Sequence, residues 1–199
     1  MNLSSQGSIK KNLIKQITLV TVIFISIFFP DCKSKNSPKE AVFPVLSFIK
    51  SQVAHVDTSL YQIIKLTGRD STWDTAYIKR EEFSSYADDF LHLPDLADKQ
   101  YANKYEESKF FDASLNRVII TYIPKDKSQE LQREEVMIEP DSEGGDKVKN
   151  IIVDKLIISN DSSITKRMLW TVDESFQVTT IIQKPSGEDS AMTVKVKWQ

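Results

Sequence analysis

The sequence predicts an α+β fold, in which N-terminal helices pack on a large curved antiparallel β-meander. Seven short runs rich in β-branched and aromatic residues follow one another from Tyr105 to Trp198, and turns separate them. Connections such as Val172–Ser175 are too short to contain a crossover helix, so neighbouring strands must be antiparallel. An amphipathic segment precedes these runs, and an order of helices before strands is typical of the α+β class.

The first predicted element is a helix. Ser37, Pro38 and Glu40 form a capping box with proline at the first helical position. Apolar residues then recur at helical spacing on one face: Val42, Val45, Leu46, Ile49, Val53 and Val56. Pro44 lies in the second turn, where it either kinks the helix or moves its start to a later residue.

A hairpin and a second helix are predicted next. Residues 60–67 form a strand, residues 68–71 a turn around Gly68, and residues 73–83 the charged partner strand. Ser85 and Asp88 then indicate a capping box that begins a helix through Phe90. Pro94 would end or bend that helix.

The seven strands of the predicted meander share short length and turn residues at both ends. They are Tyr105–Phe111, Arg117–Ile123, Leu131–Glu139, Val148–Ser159, Ile164–Val172, Phe176–Gln183 and Ala191–Trp198. The last is the clearest, because apolar and polar residues alternate from Met192 to Trp198. Such alternation predicts one buried face and one solvated face.

The first 31 residues have the layout of a secretory signal peptide. Lys10, Lys11 and Lys15 precede an apolar run, Ile17–Phe29, which is too short for the roughly 20 residues that span a bilayer as a helix. We therefore expect three parts: a signal peptide at 1–31, a polar tether at 32–38 and one globular domain at 39–199. The protein would be exported to the cell envelope.

Cys32, the one cysteine of the chain, follows this segment directly. A lone cysteine cannot form an internal disulfide, and its position fits a bacterial lipoprotein signal, in which the cysteine becomes the lipidated first residue. Diacylation there would anchor the protein stably in a membrane. Asp31 departs from the small residue usual before the cysteine, so a signal cleaved without lipidation and an uncleaved signal-anchor are alternatives. A catalytic thiol is disfavoured, because a linker gives it no neighbouring base.

The order of elements resembles a group of lipoproteins of Bacteroidota. The likeness covers nearly the whole chain and rests on the segments FPVLSFIKSQVAHVDTSLYQIIKL and EEFSSYADDFLHLPDL, in which Phe90 and Pro94 stand at the end of the second helix. This resemblance implies an envelope location and a shared fold. It implies no activity and no site residues.

Composition and motifs point away from several function classes. The chain has 26 basic and 28 acidic residues, and removal of the basic signal leaves it more acidic, which argues against nucleic acid as a partner. No phosphate-binding glycine motif or nucleophile elbow is present. We therefore expect no enzymatic activity, no cofactor and no bound metal.

Few side chains remain as candidates for chemistry. His55 is isolated, whereas His92 can pair with Asp88 four residues earlier. Acidic residues around the second helix could offer oxygen ligands, but a solvated helix face is the simpler interpretation: Asp88, Asp89, Asp95 and Asp98. Residues 141–146 do not match an EF-hand and indicate a mobile hairpin turn.

Three functions are compatible with these patterns. A non-enzymatic envelope lipoprotein, acting as a binding or structural module, is the leading one, with a lipid or an envelope protein as its ligand. A lipid or lipoprotein carrier would need a sheet curved into a half-barrel, with an apolar cavity between sheet and helices for an acyl chain. An envelope hydrolase would use carboxylates near Asp88 and His92. The aromatic residues are expected to be mostly core, with a subset available to line a groove: Trp73, Tyr77, Phe83, Phe90, Phe110, Phe111, Tyr122, Trp170 and Phe176.

Overall fold

One antiparallel sheet of nine strands dominates the part of the chain that the computed structural model describes, namely residues 41–69, 72–101, 103–141, 143–187 and 189–199. The helices are α1 (Val45–Thr58), α2 (Arg80–Tyr86) and α3 (Asp88–Leu91). The strands are β1 (Ile63–Arg69), β2 (Thr72–Tyr77), β3 (Tyr105–Asp112), β4 (Arg117–Pro124), β5 (Leu131–Glu139), β6 (Lys147–Ile158), β7 (Ser163–Thr171), β8 (Ser175–Gln183) and β9 (Ser190–Trp198). The prediction of a large antiparallel sheet with helices is confirmed.

The meander runs from β3 to β9, and the early hairpin joins its far end. The strand order is β2-β1-β9-β8-β7-β6-β5-β4-β3, so β2 and β3 are the two edges of the sheet. All seven meander strands begin and end within one residue of their predicted bounds. The pairing of β1 with β9 was not predicted, because periodicity along a strand does not identify its partner.

Helix α1 begins directly after Pro44. Of the two predicted effects of this proline, a kink or a later helix start, the later start is therefore the one observed. Its buried face consists of Val45, Ile49, Val53 and Val56, as the spacing predicts. Val42 lies before the helix, so the predicted start was too early. The proposed capping box at residues 37–40 lies outside the described residues.

Five aromatic rings from both layers form the centre of the core. Phe83 of α2 meets Trp198 of β9 edge-on at 5.2 Å between ring centroids, and Phe90 of α3 meets Trp170 of β7 at 5.2 Å. Phe176 of β8 stacks on Trp170 at 5.3 Å. All five rings are almost completely buried, and burying side chains of this size is a dominant stabilising contribution. The helices are therefore held on one face of the sheet.

The predicted hairpin was partly wrong. Strand β1 begins at Ile63, three residues later than predicted, and continues through Gly68, which we had placed in the turn. Gly68 pairs with Trp73, and a Cβ atom at Gly68 would lie 2.9 Å from the Trp73 ring. The glycine is therefore a strand residue that accommodates a cross-strand indole.

The second half of the predicted strand 73–83 is helical, which is a further correction. Strand β2 ends at Tyr77, and α2 begins where the Glu82 carboxylate accepts a 3.1 Å hydrogen bond from the backbone N–H of Lys79. The Glu82 carboxylate thus supplies one half of a capping box at the start of α2, and the predicted box at Ser85 and Asp88 is not formed. The hydroxyl of Ser85 instead donates to the Glu82 carbonyl inside the helix.

The prediction that most of the aromatic residues belong to the core was right for the centre of the sheet and wrong for its edges. Phe83, Phe90, Tyr122, Trp170 and Phe176 are buried. Four others are exposed, two on each edge strand: Trp73, Tyr77, Phe110 and Phe111. Because an edge strand has a neighbour on one side only, its aromatic side chains are incompletely covered.

Candidate functional site

A carboxyl group is buried between the sheet and the helices at Glu134 of β5. Its side chain is 1% exposed, and neither of its oxygens has a hydrogen-bond partner among the described residues. Burial raises its pKa from 4.5 to about 8, and repulsion from Asp95 adds to this effect. The group is therefore mainly neutral at pH 7, because a buried unpaired carboxylate is strongly disfavoured.

A β-bulge explains why Glu134 faces inward. The register between β5 and β6 shifts between Leu131, which pairs with Lys155, and Arg133, which pairs with Asp154. An extra residue in one strand reverses the side-chain alternation that follows it. Leu131 and Glu134 are both buried as a result, although strict alternation would place them on opposite faces. We did not single out Glu134 from the sequence.

Two tyrosines flank this carboxyl group. Tyr122 of β4 is the direct cross-strand neighbour of Glu134, and its hydroxyl accepts a 3.0 Å hydrogen bond from the Phe43 N–H. Burial raises the pKa of Tyr122 and of Tyr105 to about 12, and the Glu134 charge contributes to both shifts. Both phenols are therefore protonated at neutral pH, and each already has an acceptor: the Tyr105 hydroxyl donates to the Leu131 carbonyl at 3.5 Å, and that of Tyr122 hydrogen-bonds Glu107.

Tyr105 also lines an opening of about 390 Å³, whereas Glu134 and Tyr122 do not line it. Its lining comes from the segment after α3, from β3, from the β4–β5 connection and from the sheet face: His92, Leu93, Pro94, Tyr101, Tyr105, Gln129, Glu130, Leu131 and Lys155. The volume lies at the lower end of small-molecule sites. Tyr101 and Tyr105 meet edge-on with ring centroids 6.4 Å apart.

An ion pair lies in this opening. The ammonium group of Lys155 lies 2.6 Å from a carboxylate oxygen of Glu130, and the Lys155 side chain is only 10% exposed. Glu130 is 52% exposed, so the lysine is held in a nearly buried position while its carboxylate partner stays in contact with water. The pair presents charges of both signs at the opening. Together with the hydroxyl groups of Tyr101 and Tyr105, this ion pair can hydrogen-bond a small polar molecule. The arrangement contains no nucleophile beside an oriented base of the kind that acyl transfer requires.

The predicted pair of Asp88 and His92 is present but exposed. Its nitrogen–oxygen distance is 3.0 Å, and the two side chains are 67% and 73% exposed. His92 also contacts the Asp88 carbonyl, so the pair caps the end of α3. Its imidazole lies at the rim of the opening. Asp88 does not line this opening, so the pair itself offers little support for a hydrolase.

The remaining acidic candidates already have partners. Asp89 forms an ion pair with Lys166 of β7, and Asp95 and Asp98 accept hydrogen bonds from the backbone N–H groups of Ala97 and Gln100. Within the described ranges, no group of three or more His, Cys, Asp or Glu side chains is placed to hold a metal ion.

Two other predicted positions lie apart from the opening. His55 is near the end of α1, with its ring 5.9 Å from that of Tyr61. Asp141 lies in the connection between β5 and β6, where hydrogen bonds to Lys147 and to the Glu143 N–H lower its pKa to about 2. These contacts fit a turn of the hairpin.

Cys32 and the apolar run before it lie outside the described residues, so the lipidation prediction is untested. Among the residues that are described, no helix combines the length and apolar character needed to cross a bilayer.

Comparison with known proteins gave no match. No family model, no curated protein and no solved structure is significantly similar to this chain.

Proposed function

We propose that this chain is a non-enzymatic envelope lipoprotein, anchored through lipid on Cys32, whose domain binds a small polar ligand at the opening near Glu134. The anchor is supported by the sequence pattern of the first 32 residues. The binding role is supported by one observation above all. A nearly buried Lys155, its half-exposed partner Glu130 and two tyrosines, Tyr101 and Tyr105, line one opening near an unpartnered carboxyl group.

The lipid-carrier alternative is less well supported. An acyl chain between sheet and helices would need an apolar cavity, and five aromatic rings occupy the middle of that space. The lining of the opening is mixed, with charged groups among the apolar ones. Such a lining favours a polar ligand over an acyl chain. Curvature of the sheet, on which the carrier depends, stays a prediction.

Native mass spectrometry tests the binding role. The full-length protein would be extracted gently in detergent from its own cells, and its mass compared with that of the Tyr101→Ala variant. We expect a non-covalent adduct on the wild type that is lost in this variant. Tyr77→Ala is the matched control, because Tyr77 is exposed on β2 and should keep the adduct. An adduct of lipid mass would instead support the carrier, and absence of any adduct would refute the binding role.

Metabolic labelling tests the anchor independently. An alkyne analogue of palmitate should label the wild-type protein, and Cys32→Ser should abolish the label while leaving the chain exported. Labelling that persists in Cys32→Ser would place the lipid elsewhere. An unlabelled wild-type protein would leave only a signal peptide or a signal-anchor.

A further inference from the structure

We propose that two copies of this chain associate through their β3 edge strands, so that the two sheets become one. Strand β3 is eight residues long and forms one edge of the sheet, where no described strand pairs with its outer side. Unpaired edge strands of this length are templates for pairing with another strand. The sequence of this edge favours a second copy of itself.

The direction of the backbone groups sets the possible register. The Lys125 N–H donates to the Lys104 carbonyl, so residues 104, 106, 108, 110 and 112 direct their backbone groups toward β4. The N–H and carbonyl groups of Tyr105, Glu107, Lys109 and Phe111 therefore face the free edge. A second β3 must pair through these four residues.

One antiparallel register makes this edge complementary to itself. With Ser108 on the two-fold axis, Glu107 of each copy lies opposite Lys109 of the other, and Tyr105 lies opposite Phe111. Opposite charges and aromatic pairs across strands are stabilising, and the two-fold axis makes each pair occur twice. A shift by one backbone repeat would instead place Lys109 opposite Lys109, or Glu107 opposite Glu107.

The exposed aromatic residues of β3 fit the same interface. Phe110 and Phe111 are 52% and 55% exposed and lie on opposite faces of the strand, so a paired strand would cover part of each. Lys109 also makes a contact within its own chain. Its ammonium group carries three donors and can therefore serve a second carboxylate.

The other edge of the sheet is a poorer match. Strand β2 has six residues, and Asp74 is its one charged residue. It therefore cannot form pairs of opposite charge with itself. Pairing of β2 with β3 of another copy would be head-to-tail and would extend into an open array. Strand β3 alone combines length, self-complementary charge and a closed assembly.

A charge swap tests the interface. The full-length protein in detergent would be studied by sedimentation velocity over a range of concentrations. We expect a monomer–dimer equilibrium that weakens about tenfold or more in Lys109→Glu and in Glu107→Lys, since each change converts two attractions into two repulsions. The double variant Glu107→Lys/Lys109→Glu should restore the dimer. Glu106→Lys is the matched control, because residue 106 faces Phe110 and not a charge in this register.

A cysteine on the two-fold axis tests the register. In a Cys32→Ser background, Ser108→Cys should form a disulfide dimer under mild oxidation, because the two Cα atoms would be about 4.5 Å apart. Glu106→Cys should not, since its two copies would be four residues out of register. A wild-type protein that stays monomeric would overturn the proposal. So would a dimer that neither single charge reversal weakens, a double swap that fails to restore the dimer, or equal cross-linking at both positions.

Discussion

Replacing Glu134 by glutamine should remove a pH dependence of stability that the wild-type domain owes to one buried acid. The carboxyl has a pKa of about 8 in the folded protein against 4.5 ordinarily. Between these values the unfolded chain releases a proton and the folded chain keeps it, so the free energy of unfolding falls as pH rises. The free energy of unfolding falls by about 1.4 kcal/mol for each pH unit in this interval, and by about 5 kcal/mol over the whole interval.

The substitution isolates this contribution because glutamine has nearly the same shape and cannot ionise. At pH 4.5 the two proteins should differ little, apart from the cost of the buried amide N–H groups. At pH 7 the free energy of unfolding of the variant, relative to that of the wild type, should be about 3 kcal/mol higher than at pH 4.5. Above pH 8 this relative gain should level off near 5 kcal/mol. The substitution changes no other titratable group, so the contributions of the remaining groups cancel in the difference.

Urea unfolding at several pH values from 4.5 to 9 measures this difference directly. Glu106→Gln is the control: it makes the same chemical change at an exposed position of β3 and should follow the wild type at every pH. If the free energies of unfolding of wild type and Glu134→Gln changed in parallel with pH, Glu134 would not be the source of the pH dependence. Such a result would mean that Glu134 is hydrated or paired in solution.

Three further changes test the packing that positions the site. Phe176→Ala should cost about 3–5 kcal/mol and lower the melting temperature strongly, because Phe176 is 1% exposed and contacts four aromatic rings of the core. Tyr122→Phe should cost about 1–2 kcal/mol in chemical denaturation, since it leaves the Phe43 N–H without its acceptor. Gly68→Ala should cost less than about 1 kcal/mol, because the half-exposed Trp73 ring can move aside. Gly68→Ala should also shift the fluorescence of Trp73 to longer wavelength. A loss of stability as large as that of Phe176→Ala would mean that the Trp73 ring cannot move aside.

The strands were predictable because their signal is local. Alternation from Met192 to Trp198 and the turns between successive runs specify short antiparallel strands without knowledge of their partners. The helical face of α1 was predictable for the same reason. The pairing of β1 with β9 was not, since it joins the two ends of the domain and leaves no local trace.

The candidate site escaped prediction for a specific structural reason. A bulge near Gln132 turns Glu134 toward the core, and alternation counted from Leu131 places that residue in solvent. The alternation of polar and apolar residues in Leu131–Glu139 therefore does not distinguish Glu134 from a surface residue. The side chains singled out instead, Asp88 and His92, were recognisable because their contact is local. Local contacts of this kind are common at helix ends and rarely mark a site.

The position of the edges was equally hidden. Trp73 and Phe110 are large aromatic residues of the kind found in buried strands. They are exposed because the strand order places β2 and β3 at the two edges of the sheet. Strand order depends on contacts between distant segments, which sequence periodicity does not encode.

The proposed lipid anchor at Cys32 is tested by mass spectrometry of the N-terminal peptide of the mature protein. We expect a peptide that begins at Cys32 and carries the mass of a diacylglyceryl group. A peptide that begins at another residue, an unmodified Cys32 or an intact Met1 terminus would contradict it. Asp31 is the residue that decides between these results, because a charge beside the cleavage point is its main departure from a lipoprotein signal.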